Sequence, residues 1–334
     1  MGERQRAVEG VVNADFWRGR RVFLTGHTGF KGTWLNAWLT RLGAEVYGYS
    51  LPDDVRDFDA LQRALADSRA EVVLHLAAQA LVRESYANPI ETYATNVMGT
   101  VHLLEALRSA EHVRGVVVVT SDKCYDNREW LWPYRENEPL GGRDPYSSSK
   151  ACQELVTAAY RASFSGAAIA TARAGNVIGG GDEAKDRLVP DLIRAFTSGE
   201  SAMIRNPASI RPWQHVLEPL HGYLMLAEGL CEGEGFAEAW NFGPMEHDVR
   251  SVRDIADALV ARWGAGAKWE QDESTQPHEA RMLKLDSSKA RARLGWMPRL
   301  SLDTALDWIV EWHQHDDPRA ATLEQIERYE ALLP

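Results

Sequence analysis

Val22-Phe23-Leu24-Thr25-Gly26-His27-Thr28-Gly29-Phe30-Lys31-Gly32 is the stretch that decides the fold. It opens on a short apolar run of strand type and passes through glycines at 26, 29 and 32. Trp34, Leu35, Trp38, Leu39 and Leu42 then recur at helical spacing until Gly43 closes the helix. Strand, glycine-rich turn and helix in that order form the arrangement that holds a dinucleotide. The glycines let backbone amides approach a pyrophosphate, and the helix N-terminus turns its positive end toward it. A lone glycine motif is weak, but correct flanks on both sides favour cofactor binding over an incidental turn.

Outward from this unit the same alternation continues. Val46–Tyr49 reads as a second strand, Leu61–Leu65 as helix, and Val72–Ala78 as a buried strand. A helix follows over Pro89–Ser109, then strands at Val116–Thr120 and Ile169–Arg173. Alternating strands and helices predict an α/β fold, a Rossmann-type doubly wound parallel sheet with helices on both faces. Beyond about Gly175 the alternation loosens around Gly179-Gly180-Gly181-Asp182 and Asn206–Pro212, with helices expected near Val189–Thr197, Leu217–Leu230 and Val252–Trp263. The reading is a dinucleotide-binding domain over 1–175 and a smaller, mainly substrate-binding region over 176–334. A strand near Trp240-Asn241-Phe242-Gly243 returns to the first domain.

Composition bounds the partners. Thirty-seven Lys and Arg against 48 Asp and Glu leave a net charge of -11, which argues against nucleic acid or an anionic membrane as the main partner. Three cysteines, Cys124, Cys152 and Cys231, with no CxxC pair, fit a reducing compartment better than a disulfide framework. No apolar run has the length of a membrane span or a signal peptide, so the expectation is a cytoplasmic protein, and no metal is expected.

Asp144-Pro145-Tyr146-Ser147-Ser148-Ser149-Lys150 begins like a helix, with Asp144 as cap and Pro145 in the first turn. Tyr146 and Lys150 are four apart and share a face. A tyrosine near its ordinary pKa of ~10 is a poor base at neutral pH, and a neighbouring ammonium favours the phenolate. Such a pair can accept a hydroxyl proton while a nicotinamide takes the hydride. A surface i,i+4 contact is the bland alternative. The glycine loop in the same chain favours catalysis.

These residues, with His75-Leu76-Ala77-Ala78, Asn96-Val97-Met98-Gly99 and Arg173-x-x-Asn176-Val177, resemble the extended short-chain dehydrogenase/reductase family in order and over nearly the whole chain. Four stretches are similar to its branch of 4,6-dehydratases acting on CDP-glucose. They are Gly26–Gly32, Thr120-Ser121-Asp122-Lys123-Cys124-Tyr125, Arg211-Pro212-Trp213-Gln214-His215-Val216 and Pro277-His278-Glu279-Ala280.

The resemblance implies an NAD-dependent hydro-lyase. Tyr146 deprotonates the sugar 4-hydroxyl, Lys150 holds the cofactor ribose, and Ser121 hydrogen-bonds the 4-hydroxyl. Asp122 serves as acid and Lys123 as base, where dTDP-sugar dehydratases carry Thr-Asp-Glu. It further implies cofactor contacts from Gly26, Thr28, Gly29, Phe30, Lys31, Gly32, Asp54, Val55, Leu76, Ala77, Ala78, Gln79 and Thr120. CDP-glucose or a related nucleotide sugar would meet Asn176, Arg187, Leu188, Arg211 and His278, with the Trp130–Trp132 stretch flanking it. A homodimer or higher homo-oligomer is implied through helices around 96–109 and 146–164, with Val97, Val101, Leu104, Leu155 and Val156 as apolar faces.

One departure is that Ser50, at the end of the second strand, is only four residues from Asp54. Relatives place roughly twenty or more residues between that strand and the acidic segment, so the sheet is expected to lack one edge strand and to leave the adenosine side open. Two other readings stay open: an epimerase or reductase on the same fold, and a non-catalytic dinucleotide sensor.

Overall fold

A computed structural model describes residues 12–233, 235–264, 266–274 and 280–334. The chain starts its sheet with β1 (Arg21–Thr25), α1 (Phe30–Arg41), β2 (Glu45–Tyr49), α2 (Phe58–Ser68) and β3 (Val72–His75). It continues through α3 (Gly99–Leu107), β4 (Gly115–Val119), α4 (Pro145–Ser163), β5 (Ala168–Ala174), α5 (Leu188–Ser198), α6 (Leu217–Glu232) and β6 (Ala239–Phe242). The six strands lie in the order β6-β5-β4-β3-β1-β2, all parallel, with Val22 opposite Val46 on one side and Val72 on the other.

The strands read as continuous apolar runs because both faces are covered. Val22, Leu24, Val72, Leu74 and Val117 face one core with Trp34, Trp38, Leu224 and Trp240. Phe23, Val73, Val116 and Val118 face the other with Leu61, Leu65, Leu103 and Leu104. The expected strand near 240 is in the main sheet, with Ala239 opposite Thr171. Among the described residues no strand lies beyond β2, so the sheet ends where the short link at 50–54 said it would.

A third core gathers Ile178, Leu192, Ile193, Ile204, Trp213, Leu259 and Leu306 beside the sheet. It is built from α5, Val252–Trp263 and Leu302–Gln314, with short strand pairs at 201–204 with 268–271 and 210–212 with 249–251.

The helix expected over Pro89–Ser109 is interrupted. A π-turn at Ala94–Met98 separates Pro89–Tyr93 from α3. The extra residue rotates Asn96 inward, where its Nδ2 donates to Ser149 Oγ (2.8 Å) and its Oδ1 accepts from Gln79 N (2.8 Å). Leu104, expected on a subunit face, is buried in the core beside α2, because α3 turns that side to the sheet.

Candidate active site

The strand order reverses between β1 and β3, and ligands of such sheets bind outside the carboxyl ends at that point. The loops after β1, β3, β4 and β5 all meet there around a cleft of about 420 Å³. Gly26, Gly29, Phe30, Lys31, Gly32, Leu76, Ala78, Thr120, Ser121, Asp122, Lys123, Tyr146, Lys150, Asn176, Arg187, Leu188 and Arg211 line it. Most of the expected site is therefore brought together.

The glycine turn is packed against its neighbours. Gly26 has φ +73°, and a Cβ there would stand 2.7 Å from Ala77 N; one on Gly32 would stand 2.0 Å from Gly26 O. Gly29 caps the start of α1 with no side chain to accept a hydrogen bond, which leaves its first amides for another acceptor. Uncapped amides at a twelve-residue helix, behind a turn with no room for side chains, fit a dinucleotide's pyrophosphate. Thr25 Oγ1 ties the turn to β3 through His75 Nδ1 (2.7 Å) and accepts from Ala77 N (3.2 Å).

Several expected cofactor contacts lie away from the cleft. Asp54 spends its carboxylate on Arg56, and Val55 is buried against Gly99. Gln79 bonds locally to Thr92 Oγ1 (2.8 Å) and Leu81 N (2.5 Å), Ala77 packs on Gly26, and Thr28 is exposed with its amide toward Ser50 Oγ. Thr120 borders the cleft, but its hydroxyl turns inward to Glu154. Trp130 stacks on Tyr134 and Trp132 is exposed, so neither lines the cleft. His278 lies outside the described residues.

Asp144 caps α4 as expected, accepting from Ser147 N (2.8 Å) and Ser147 Oγ (2.6 Å). That start aims Tyr146 and Lys150 inward, with Lys150 Nζ 5.9 Å from the Tyr146 ring centre. Burial pushes Tyr146 up to about 12, against the opposite pull of a Ser121 hydrogen bond and the Arg187 charge. The lowering expected from Lys150 is not what the site shows: Ser121 and Arg187 supply the downward pull, and burial outweighs it. Lys150 is itself brought down to about 7 by burial and by the Lys31 ammonium. Lys31 falls to about 8 through burial and Arg187, and its Nζ reaches Tyr223 OH at 3.4 Å.

Ser121, Asp122 and Lys123 follow β4 into a tight turn over Asp122–Cys124, with Ser121 Oγ accepting from Lys123 N (3.2 Å) and donating to Asp122 Oδ1 (3.0 Å). Asp122 is 2% exposed, and its Oδ2 has no hydrogen-bond partner among the described residues. Burial raises its pKa, only partly offset by Lys123, Ser121, Arg211 and Lys31. A carboxyl disposed to keep its proton suits a general acid. Lys123 is half-buried at the cleft wall.

The sequence reading missed Asp182, which is nearly buried and holds Arg187 Nη1 at 2.9 Å, and Glu154, which pairs with Arg173. The glycines at 179–181 flagged the first region.

A dinucleotide cradle facing a buried Tyr–Lys helix and an acid turn defines the short-chain dehydrogenase/reductase class. The GDP-mannose 4,6 dehydratase family model matches residues 50–308, and the chain belongs to that family. It is 53% identical to the CDP-glucose 4,6-dehydratase of Salmonella typhimurium (strain LT2), covering 91% of this chain and 93% of that protein. DesIV, a dTDP-glucose 4,6-dehydratase from Streptomyces venezuelae solved with NAD and TYD bound, superposes with a TM-score of 0.78 at 25% identity, covering 89% of this chain and 97% of that one. The epimerase Mth375 of Methanothermobacter thermautotrophicus, with a TM-score of 0.83 at 21% identity over 94% and 96%, shares the fold.

Proposed function

We propose that the chain is an NAD-dependent nucleotide-sugar 4,6-dehydratase, converting CDP-glucose to CDP-4-keto-6-deoxyglucose and water. The observation that carries this over an epimerase is the Ser121-Asp122-Lys123 turn opposite Tyr146: C4 oxidation alone has no use for a buried, proton-retaining carboxyl. The Salmonella relative supports the choice of CDP-glucose.

The glycine turn and α1 would hold the dinucleotide's pyrophosphate and Lys150 its ribose. NAD, when bound, supplies the acceptor for hydride from C4 and its donor to C6. Tyr146 acts as the phenolate, which the cationic nicotinamide, when bound, would favour against burial, and takes the 4-hydroxyl proton while Ser121 orients that hydroxyl. Lys123 removes the C5 proton, made acidic by the new ketone, and Asp122 passes its proton to the departing C6 oxygen. Arg187 and Arg211, with Asn176 and Leu188, receive the nucleotide diphosphate.

The division of labour follows the chain, with 1–175 serving the dinucleotide and 176–334 mainly the sugar nucleotide. Met98 and Leu155, exposed on the helices expected at a subunit face, support a homodimer or larger homo-oligomer. No helix among the described residues is long and apolar enough to cross a membrane, and a cytoplasmic location agrees with the three free cysteines.

The test is incubation with CDP-, dTDP-, GDP- and UDP-glucose in parallel, followed by mass spectrometry. Loss of one water from CDP-glucose is expected. Dehydration of another nucleotide's glucose in preference would overturn the base assignment, and no loss from any would overturn the reaction.

A further inference from the structure

The turn that carries Ser121, Asp122 and Lys123 is pinned at both ends by one buried network. Just before it, Thr120 donates its hydroxyl to Glu154 Oε1 (2.5 Å). Just after it, Tyr125 accepts Arg173 Nη1 on its hydroxyl (2.7 Å) and donates to Asn241 Oδ1 (2.7 Å). Glu154 and Arg173 join the two ends, Nε to Oε1 at 2.9 Å and Nη2 to Oε2 at 2.8 Å, with each side chain 3% exposed. Thr171 adds a further bond to Glu154 (2.6 Å).

Thr120, Glu154, Arg173 and Tyr125 thus close a ring of hydrogen bonds around the base of the turn. Glu154 is four residues after Lys150 and eight after Tyr146, so the helix face that carries the oxidising pair also carries this clamp. Arg173 belongs to β5 and Asn241 to β6, which anchors the ring in the rigid sheet.

A buried ion pair is a poor source of stability, because desolvating two charges offsets most of their attraction. Although burial pushes the Glu154 carboxyl up, Arg173 and the hydroxyl bonds hold it below the usual carboxylate range. A set of apolar side chains would fill this space with less electrostatic penalty. What the ion pair adds is directionality: six charge-assisted bonds in fixed geometry, one of them from Arg173 Nη1 to the Glu136 carbonyl.

We propose that the Thr120–Glu154–Arg173–Tyr125 ring is a positioning device for the elimination step, fixing Asp122 and Lys123 relative to Tyr146. The proposal rests on the dehydratase reading above. In that step Lys123 takes the C5 proton and the C5–H electrons form the C5–C6 double bond. The C6–O bond breaks with its pair on oxygen, and Asp122 supplies the proton that completes water. Both groups must meet a sugar that Tyr146 has already oxidised, so an error in their offset from α4 falls more on elimination, which uses two groups of the turn, than on oxidation, which uses Ser121 alone.

Tyr125→Phe and Thr120→Val each delete one bond of the ring, and Thr120→Ser keeps it. CDP-glucose reports the whole reaction. CDP-6-deoxyglucose, which has no C6 hydroxyl to expel, reports C4 oxidation alone through the absorbance of reduced nicotinamide. For each deleting variant the ratio of water loss to C4 oxidation is expected to fall about tenfold or more. Thr120→Ser restores the ratio, and the melting temperature moves by only a few degrees. Unchanged ratios in both variants, or both partial reactions falling together, overturn the positioning role. Should Thr120→Val unfold early, Tyr125→Phe carries the same test. Wild-type protein that oxidises CDP-6-deoxyglucose yet never dehydrates CDP-glucose would instead sink the dehydratase reading.

Discussion

Gly175→Ala tests the acid assigned to Asp122 without touching it. Gly175 directly follows β5, and its φ lies outside the left-handed range, so the backbone accepts alanine. The new Cβ would stand 2.0 Å from Asp122 Oδ2 and 2.4 Å from its Cγ, whereas ordinary contact begins at 3.4 Å. The carboxyl must therefore retreat by more than ~1 Å, and a misplacement of that size costs on the order of 100-fold in rate, or about 2.7 kcal/mol of barrier. Water loss from CDP-glucose is expected to fall by about that factor, while C4 oxidation of CDP-6-deoxyglucose holds to within about threefold. Mass spectrometry reads the first and reduced-nicotinamide absorbance the second. A Gly175→Ala enzyme that dehydrates CDP-glucose at the wild-type rate would refute the placement of Asp122 at the reacting C6 oxygen.

The remaining predictions bear on other parts of the account. Tyr146→Phe is expected to lower C4 oxidation by about 10²–10⁴-fold, read as single-turnover reduction of the nicotinamide; wild-type oxidation would remove Tyr146 from its role. Gly32→Ala places a Cβ 2.0 Å from Gly26 O and should weaken dinucleotide binding by roughly tenfold or more, seen by equilibrium dialysis. Burial pushes Glu218 up to about 7, so between the ordinary 4.5 and 7 the folded state holds a proton that the unfolded chain has lost. Its contribution to stability is complete below pH 4.5 and disappears as pH rises through 7. Glu218→Gln should therefore flatten the pH dependence of urea unfolding over that window by roughly 3 kcal/mol, and an unaltered pH profile would remove Glu218 as its source.

The sheet was legible because parallel strands covered on both faces must be apolar throughout, and helices between them must show a 3.6-residue period. Val72–Leu74 and Trp34–Leu39 obey those patterns, so their elements were plain. The π-turn at Ala94–Met98 was hidden because one additional residue in a turn leaves the apolar spacing nearly intact, while it rotates Asn96 into the core. Tyr146, Lys150 and Asp122 were visible as local motifs, and each lines the cleft. The contacts expected of Asp54, Val55 and Gln79 were carried over from resemblance; these residues stand outside the cleft lining, beside Arg56, Gly99 and Thr92. Glu154 with Arg173, and Asp182 with Arg187, join residues whose pairing depends on the tertiary fold, where sequence spacing says little.

The central claim is that hydrogen removed from C4 returns to C6 of the same sugar after water is eliminated across C5 and C6. Supplying CDP-glucose with deuterium at C4 tests it directly. The account predicts a product lighter by one water, with the deuterium at C6. Deuterium remaining at or returning to C4 with no water lost would contradict it and favour an epimerase, and bound dinucleotide with no turnover at all would favour a sensor.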